Sequence, residues 1–352
     1  MENLGNPAAD EFAPQSTYLN TSTAGLLPRR ALEAVKALAD ENAAGVRGGP
    51  GSFEKVDAAR ASFARLVGVD AGRVATGGSV AVHVALIASS LPPGAEVLIT
   101  EGEFSSVITP FTVRGDLKVR YAPLEELAEA VRPGTALVAT SAAQSADGRL
   151  ADLAAVRAAA AAHGARTLVD ACQSAGWLPM DAGLYDFTVT AGYKYLMCPR
   201  GVSFLTVSEE AQETMAPLHG TWVGAEDRWN STYGPVEVFA ASARRYDEPV
   251  SFYAYHAAEQ SLALLEEIGI EAVHAHNTAL ADRYREGLLS LGHRPVPAPG
   301  STSVSVPGLA DREPELAAAG VITAARAGNL RVSFHLYNTA ADVDRVLEVL
   351  AG

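Results

Sequence analysis

The sequence has few cysteines and few basic residues for its length. Cys172 and Cys198 are its two cysteines among 352 residues. This is too few for a disulfide framework and is typical of a reducing compartment. The formal net charge is −14, from 27 basic and 41 acidic residues. Because binding to phosphate backbones or anionic lipid needs clustered cations, this balance argues against nucleic acid or a membrane as the main partner.

Long apolar runs and leader-like features are also missing. The first twelve residues are acidic and contain no apolar segment of the signal-peptide type. No apolar run reaches the length that crosses a bilayer. These features predict a cytoplasmic location. The chain has no GxGxxG fingerprint either, so a nicotinamide-dependent oxidoreductase is poorly supported.

What the sequence does contain is a regular alternation of short apolar runs and amphipathic segments. The predicted strands of the first part lie at residues 97–100, 119–121, 135–141, 166–170, 187–190 and 202–207. The predicted helices lie at residues 28–42, 53–66, 80–91, 124–131, 152–163 and 209–215. This order predicts an α/β fold, in which a mostly parallel central sheet is flanked by helices on both faces.

After residue 207 the alternation weakens and the pattern changes. Long amphipathic helices are predicted at residues 255–267 and 271–291. The tail predicts a smaller α+β unit, with strands at residues 302–306, 321–325 and 330–334 and helices at residues 311–319 and 340–350. We therefore predict a large domain of residues 16–255 and a small domain formed by residues 1–15 and 256–352.

The most informative stretch is residues 186–201, in which Lys194 lies between two tyrosines just after a predicted strand. Ligands bind at strand exits in α/β sheets, and a lysine there can react with a carbonyl group. A surface lysine in a turn is the alternative interpretation. Asp170 stands at the exit of the preceding predicted strand, so both side chains can face one pocket.

Further positions fit such a pocket. Gly78 and Ser79 precede a predicted helix, where free backbone N–H groups suit a phosphate. Phe104 offers an aromatic face, and Arg331 can bind a carboxylate through two hydrogen bonds, although a solvent-facing strand residue is the alternative for Arg331. A lysine, an aspartate for a pyridine nitrogen and a phosphate loop are together the requirements of pyridoxal phosphate chemistry on an amino acid.

These motifs resemble those of class V aminotransferases, a family of the fold-type I pyridoxal phosphate enzymes. The most specific segments are VDACQSAG at residues 169–176, TAGYKYLMCPRGV at 190–202 and LRVSFHLYNTAADVDRVL at 330–347. Further similar segments are YLNTSTAGLLP at residues 18–28, ATGGSVAVHVAL at 75–86 and EFSS at 103–106. The resemblance implies a fold-type I architecture, with a large cofactor-binding domain and a smaller C-terminal domain, and a homodimer whose subunits share active sites.

The resemblance also implies a role for each matching residue. Lys194 is expected to form the Schiff base with pyridoxal 5'-phosphate and to move protons, and Asp170 to pair with the pyridine nitrogen. The other cofactor-binding residues that it implies are Gly78, Ser79, Phe104, Gln173, Tyr193 and Trp222. Trp222 is expected to reach its own site or the partner's, with a core tryptophan as the alternative. The substrate carboxylate is expected at Arg331, with Asn20 and Thr23 nearby. No metal is implied.

Within this family the chain resembles the kynureninase-like branch more than the cysteine desulfurases. SVAVH, YKYL, TWVG and RVSFHLYN are similar to kynureninase motifs. Phe104 holds the ring-stacking position, and no cysteine beyond Cys198 is available for a mobile loop, so a persulfide relay of the desulfurase type is not expected. The chain departs from kynureninases at Gln173, where those enzymes carry a histidine, and at residues 246–249, which lack an expected asparagine.

We therefore predict an enzyme that cleaves a bond at the β-carbon of an L-amino acid, of the carbon–sulfur or carbon–carbon lyase type. Aminotransferases and amino acid epimerases share the same skeleton and are the alternatives. A non-catalytic subunit that keeps the fold is the alternative from another class. The presence of Lys194, Asp170 and Arg331 argues against it. Substrate specificity is expected to lie in residues 45–52, in residues 222–246 and in the partner subunit.

Overall fold

The computed structural model describes residues 8–46 and 51–352. Residues 1–7 of the predicted small domain and residues 47–50 of the segment expected to carry substrate specificity lie outside the described residues. The helices are α1 (Arg29–Ala43), α2 (Phe53–Leu66), α3 (Val80–Ser90), α4 (Ser105–Thr112), α5 (Leu153–His163), α6 (Glu209–Thr214), α7 (Phe252–Ile268), α8 (Ile270–Ser290), α9 (Glu313–Ala318) and α10 (Ala340–Ala351). The strands are β1 (Thr17–Tyr18), β2 (Val74–Gly77), β3 (Glu96–Thr100), β4 (Lys118–Ala122), β5 (Thr135–Ser141), β6 (Arg166–Asp170), β7 (Phe187–Ala191), β8 (Ser203–Val207), β9 (Ser303–Pro307), β10 (Val321–Ile322), β11 (Ala324–Arg326) and β12 (Asn329–Ser333).

The central sheet contains seven strands in the order β2-β8-β7-β6-β5-β3-β4. The strands from β7 to β4 are parallel neighbours, and β8 runs antiparallel to both β7 and β2. It follows that β2 runs in the same direction as β7, so the carboxyl ends of β2, β5, β6 and β7 lie along one edge. The predicted α/β fold with a mostly parallel sheet is confirmed.

The central strands read as continuous apolar runs because both faces of the sheet are covered. On one face α2 and α7 pack over the sheet, with Phe63 stacked on Phe204 at a centroid distance of 4.1 Å. On the other face α3 packs against Ile99 and Val189. The two layers leave the carboxyl edge as the place where polar side chains meet.

A smaller antiparallel sheet, in the order β11-β12-β9, packs against α8 and α10 around Tyr284 and Phe334. The N-terminal β1 pairs in parallel with β10, and Leu19 joins the same apolar cluster. The predicted domain boundary after residue 255 falls within α7, whose buried residues pack with α2. The division into two domains stays a prediction.

The structure differs from the predicted elements at three places. Residues 124–131 form a single 3₁₀ turn (Leu124–Glu126) followed by turns, because Pro133-Gly134 and β5 follow at once. Residues 74–77, which were not among the predicted strands, form the edge strand β2. Helix α4 was not predicted, because it is rich in β-branched residues and contains Pro110. In the described ranges, no helix combines the length and apolar character needed to cross a bilayer.

Candidate active site

A cavity of about 220 Å³ opens at the carboxyl edge of the central sheet. Six of the predicted site residues line it: Gly78, Ser79, Phe104, Asp170, Tyr193 and Lys194. They come from the ends of β2, β6 and β7 and from the loop after β3. The strand order explains why the ends of β2, β6 and β7 meet here, since strands that run in the same direction end at the same edge of the sheet.

Lys194 and Asp170 are buried together in this cavity. Lys194 follows β7 by three residues and is 6% exposed, and Asp170 ends β6 and is 4% exposed. Cys172 N–H donates to Asp170 Oδ1 at 2.7 Å. Burial raises the pKa of Asp170, while the nearby positive charge of Lys194 and the hydrogen bond from Cys172 oppose that increase. The alternative of a surface lysine in a turn is therefore excluded for Lys194.

The turn that carries Lys194 is held by backbone contacts on several sides. Gly25 N–H donates to the Tyr193 carbonyl at 2.9 Å, and Met197 N–H donates to the Lys194 carbonyl at 3.1 Å. His335 Nε2 donates to the Tyr195 carbonyl at 2.9 Å. These bonds fix the direction in which the lysine side chain leaves the backbone, toward the cavity.

Phe104 lies beside the lysine, with its ring centroid 5.4 Å from Lys194 Nζ. It is 45% exposed, which is unusual for a phenylalanine. Glu103, which sequence analysis missed, holds it: Glu103 Oε1 accepts from Phe104 N–H at 2.7 Å and from Ser141 Oγ at 2.6 Å. Glu103 Oε2 also accepts from Ser141 N–H at 2.7 Å. A buried acid thus ties the loop after β3 to the end of β5.

The predicted phosphate loop connects β2 to α3. Ser79 occupies the N-cap position, but its side chain caps no backbone N–H of α3. Among the described residues no side chain caps the first turn of α3, so the Ser79 hydroxyl and the first two N–H groups of the helix can meet an anion. Tyr193 lies across the cavity with the guanidinium of Arg200 4.2 Å from its ring centroid. Arg200, a cation that also lines the cavity, was missed; its position in the PRG turn directly after the lysine segment was the available signal.

Arg331 lies in a second polar cluster and is 2% exposed, so the alternative of a solvent-facing strand residue is wrong. Its Nη2 donates to Thr23 Oγ1 at 3.0 Å, and its Nη1 donates to the Ser145 carbonyl. Gln173 Nε2 donates to Ser145 Oγ at 3.1 Å. Ser145, which sequence analysis missed, therefore links two predicted site residues.

Burial lowers the pKa of Arg331 to about 10, and the positive charge of Arg326 acts in the same direction while Tyr195 opposes it. Three buried polar atoms in this cluster lack a hydrogen-bond partner within the described residues: Arg331 Nε, Gln173 Oε1 and Asn20 Oδ1. Buried polar groups normally have partners, so this cluster is suited to receive a polar ligand. A carboxylate would satisfy the arginine.

Trp222 is the predicted site residue that the fold places outside both the cavity and the polar cluster around Arg331. Its ring packs edge-on against Phe53 at 5.7 Å and against Trp229 at 5.5 Å. A contact between Trp222 and a cofactor would therefore require a partner subunit, and it stays a prediction.

The donor set of the cavity fits pyridoxal phosphate. A buried amine can bond the aldehyde, a buried carboxylate can pair with the pyridine nitrogen, an aromatic ring can cover the pyridine, and a helix start can hold the phosphate. Gln173, three residues after Asp170, adds a buried acceptor, Oε1, that has no partner among the described residues. The fold and the site together define a fold-type I pyridoxal phosphate enzyme. The family model for Aminotransferase class-V matches residues 17–346, and the chain belongs to this family.

Curated relatives cover most of the chain and differ in reaction. Isopenicillin N epimerase of Streptomyces clavuligerus is 29% identical over 96% of this chain and 94% of its own length. The uncharacterized aminotransferase YcbU of Bacillus subtilis is 27% identical, covering 85% of this chain and 84% of that protein. Kynureninase of Deinococcus radiodurans is 27% identical, and the alignment covers 76% of this chain and 70% of that protein. The family therefore unites lyases, epimerases and aminotransferases, and membership alone fixes the cofactor and not the reaction.

Solved structures agree on the fold. The cystine C–S lyase C-DES, in complex with its product cysteine persulfide, superposes with a TM-score of 0.85 at 24% sequence identity. The alignment covers 96% of this chain and 97% of C-DES. At this level of identity the likeness establishes the fold alone.

Proposed function

We propose that this enzyme cleaves the bond between the β-carbon and its substituent in an L-amino acid, with Lys194 as the acid–base group. The predicted leaving group is attached through sulfur or carbon. When bound, the cofactor would stabilise negative charge at the α-carbon of the substrate. The task left to the protein is to hold the substrate and to move protons.

The observation that supports this proposal most directly concerns Lys194. Its side chain supplies the one amine among the described cavity-lining residues, and a neighbouring ring is that of a phenylalanine. Lys194 Nζ lies 5.4 Å from the centroid of Phe104, a ring that cannot carry a proton. Among the described cavity-lining residues, Asp170 is engaged by the Cys172 N–H and Arg200 is a permanent cation. One base that removes the α-proton and returns it to the departing group suffices for β-cleavage.

The substrate carboxylate is proposed to bind Arg331. Its guanidinium donates hydrogen bonds to Thr23 and Ser145. Its Nε has no hydrogen-bond partner among the described residues. Arginine binds carboxylates through two parallel hydrogen bonds, which would fix the orientation of the α-carbon as well as its distance from Lys194. Water is limited there because Arg331 and Gln173 are both buried.

The two thiols argue against a persulfide mechanism. Cys172 and Cys198 are both buried and free, and burial raises the pKa of each. Cys198 Sγ also donates to the Leu196 carbonyl at 3.3 Å. Because the thiolate is the reactive form, neither cysteine is suited to accept sulfur from a substrate.

Incubation of the loaded enzyme with cystine, cysteine conjugates and other β-substituted alanines tests the proposal. Elimination would convert each substrate with water into pyruvate, ammonia and the protonated leaving group, whereas hydrolytic carbon–carbon cleavage would release alanine and a carboxylic acid. Borohydride reduction followed by peptide mapping should place the pyridoxyl group on Lys194, and Lys194→Ala should abolish both labelling and turnover. A loaded enzyme that forms only a keto acid and aminated cofactor would contradict β-cleavage and identify an aminotransferase.

Epimerisation is the second candidate, because the epimerase relative aligns over nearly the entire chain. It predicts entry of solvent deuterium at the α-carbon with loss of optical purity and no release of the β-substituent. Nuclear magnetic resonance of recovered substrate in D₂O separates the two reactions in one experiment.

A homodimer is proposed for the assembled enzyme, and a cytoplasmic location stays a prediction. An exposed apolar surface in residues 216–238 supports the dimer: Leu218, Trp229, Tyr233 and Val238 are 64–93% exposed. Light scattering of the purified protein tests this, and a monomeric holoenzyme with full activity would contradict shared active sites.

A further inference from the structure

An acidic side chain lies on the predicted phosphate loop. Glu248 Oε2 accepts a hydrogen bond from Gly78 N–H at 3.4 Å. A Cβ built on the neighbouring Gly77 would stand 2.6 Å from Glu248 Oε1. The carboxylate therefore contacts the strand end and uses an N–H group that a phosphate at this loop would need. A phosphate-binding loop normally presents such N–H groups free.

The backbone around Glu248 fixes it in this position. Glu248 N–H donates to the Thr76 carbonyl at 3.0 Å, so the segment runs beside the edge strand β2. The preceding Asp247 accepts from Thr76 N–H at 2.9 Å and forms a buried ion pair with Arg60 at 2.7 Å. Arg228 lies 3.8 Å from the same carboxylate. Asp247 is thereby neutralised, whereas Glu248 has no cation of its own among the described lysines and arginines.

The groups around Glu248 favour a protonated acid. His83 Nδ1 lies 4.0 Å from Glu248 Oε1, and both atoms are buried without a hydrogen-bond partner among the described residues. His83 is held neutral, because burial lowers its pKa to about 3, and its Nε2 bonds Ser203 Oγ at 3.0 Å. Burial also raises the pKa of Glu248, as does Asp247, while Gly78 N–H and His219 oppose the increase.

We propose that Glu248 and the cofactor phosphate compete for the Gly78 N–H, so that Glu248 sets how tightly the enzyme holds its cofactor and over which pH range. The inference rests on the predicted binding of phosphate by Gly78 and Ser79. An ionised Glu248 repels a phosphate dianion. A protonated Glu248 does not, and it can donate a hydrogen bond to the phosphate or to His83. The affinity for phosphate-bearing ligands therefore falls as pH rises through the raised pKa of Glu248.

The test compares pyridoxal phosphate with pyridoxal, which lacks the phosphate. Because both compounds are expected to react with Lys194, the pH dependence of that reaction cancels in the ratio of their dissociation constants. The ratio is measured by visible absorption across pH for the wild type and for E248Q. We expect E248Q to bind pyridoxal phosphate about tenfold more tightly at alkaline pH. A neighbouring like charge typically shifts an ionisation equilibrium by about one pKa unit, which corresponds to a tenfold change in an equilibrium constant. Binding of pyridoxal should not change.

Two further variants make the result decisive. E248A removes the carboxylate altogether and should change the ratio in the same direction as E248Q. E129Q removes one negative charge from an exposed position outside the proposed dimer surface and should behave as the wild type. A wild-type ratio in both Glu248 variants, or weaker binding of pyridoxal phosphate by them, would overturn the proposal. Failure to cleave β-substituents would leave these dissociation constants measurable, so the two proposals fail separately. A protein that forms no complex with either compound would overturn both.

Discussion

The backbone carbonyl of Lys194 lies so close to Gly25 that a Cβ built at residue 25 would stand 2.1 Å from the carbonyl oxygen. On another side of the same turn, a Cβ built on Gly176 would stand 2.5 Å from the Tyr195 carbonyl oxygen. The lysine turn is therefore packed between two glycines from distant parts of the chain. This packing, together with the Gly25–Tyr193 hydrogen bond, gives the N-terminal segment a direct role in positioning the lysine.

Replacement of Gly25 by alanine is expected to displace the lysine turn. A methyl group at 2.1 Å from a backbone oxygen cannot be accommodated without a shift of the backbone itself. We expect weaker cofactor binding and a loss of about 1–3 kcal/mol in the free energy of unfolding. Visible absorption titration and denaturant unfolding measure the two effects.

The matched control is Gly72→Ala, whose new methyl group would meet the movable carboxylate oxygen of Asp70 rather than backbone. It should leave cofactor binding unchanged. Normal cofactor affinity in Gly25→Ala would show that the lysine turn tolerates movement, and the positioning argument would then be wrong.

The Glu103→Gln variant tests the support beneath Phe104. Glu103 accepts from Phe104 N–H, Ser141 N–H and Ser141 Oγ, and an amide offers one acceptor oxygen in place of two. At least one buried donor loses its partner, which we expect to cost about 1–3 kcal/mol in the free energy of unfolding. The ring of Phe104 should also become less ordered, which reduces the circular dichroism of the bound cofactor. Glu101→Gln, two residues earlier and exposed, serves as the control and should change neither signal.

The fold was predictable from the sequence because its signals are local. The buried runs of β5, β6 and β7 lie between helix-forming segments, and α/β alternation leaves few topologies. Lys194 and Asp170 were found because each stands at the exit of a predicted strand, and the Gly78-Ser79 loop was found because it precedes a predicted helix. The strand order of the structure brings all three to one edge. The prediction that Lys194 and Asp170 face one pocket could be made without knowledge of side-chain packing.

The residues that were missed act through contacts that sequence spacing does not encode. Glu103, Ser145 and Glu248 act through hydrogen bonds to segments that are distant in the chain, so no periodicity reveals them. Helix α4 was missed because its composition favours a strand and packing overrides that preference. The predicted contact of Trp222 with a cofactor stays a prediction, because it would need a second subunit that a single chain does not specify.

The Arg331→Lys variant tests the proposed carboxylate site. Lysine keeps the charge but cannot bridge Thr23 and Ser145 while also binding a carboxylate through two hydrogen bonds. We expect kcat/KM to fall about 10- to 100-fold, because a charged hydrogen bond contributes about 1.5–3 kcal/mol. The loss should appear mainly in KM. Arg345→Lys, at an exposed ion pair with Glu348, should leave both constants unchanged. An unchanged KM in Arg331→Lys would contradict the proposed substrate orientation.

The stability of the fold should depend on pH through His335. This histidine is fully buried: Nε2 donates to the Tyr195 carbonyl, and Nδ1 accepts from Asn277 Nδ2 at 3.2 Å. Burial lowers its pKa from 6.5 to about 3. Between these two values the unfolded chain binds a proton that the folded chain does not. Unfolding therefore takes up a proton, and stability is lost as pH falls from 6.5 toward 3.

Replacement of His335 by glutamine should remove this contribution. The variant will be less stable at pH 7 because two buried hydrogen bonds are altered. Its free energy of unfolding should nevertheless fall less steeply below pH 6.5, by about 1.4 kcal/mol per pH unit relative to the wild type. Urea unfolding at several pH values gives the slope, and His163→Gln at the exposed end of α5 should retain the wild-type slope. Parallel pH profiles for His335→Gln and the wild type would mean that His335 takes up its proton equally in the folded and unfolded states. The histidine beneath the lysine turn would then not be held neutral by burial.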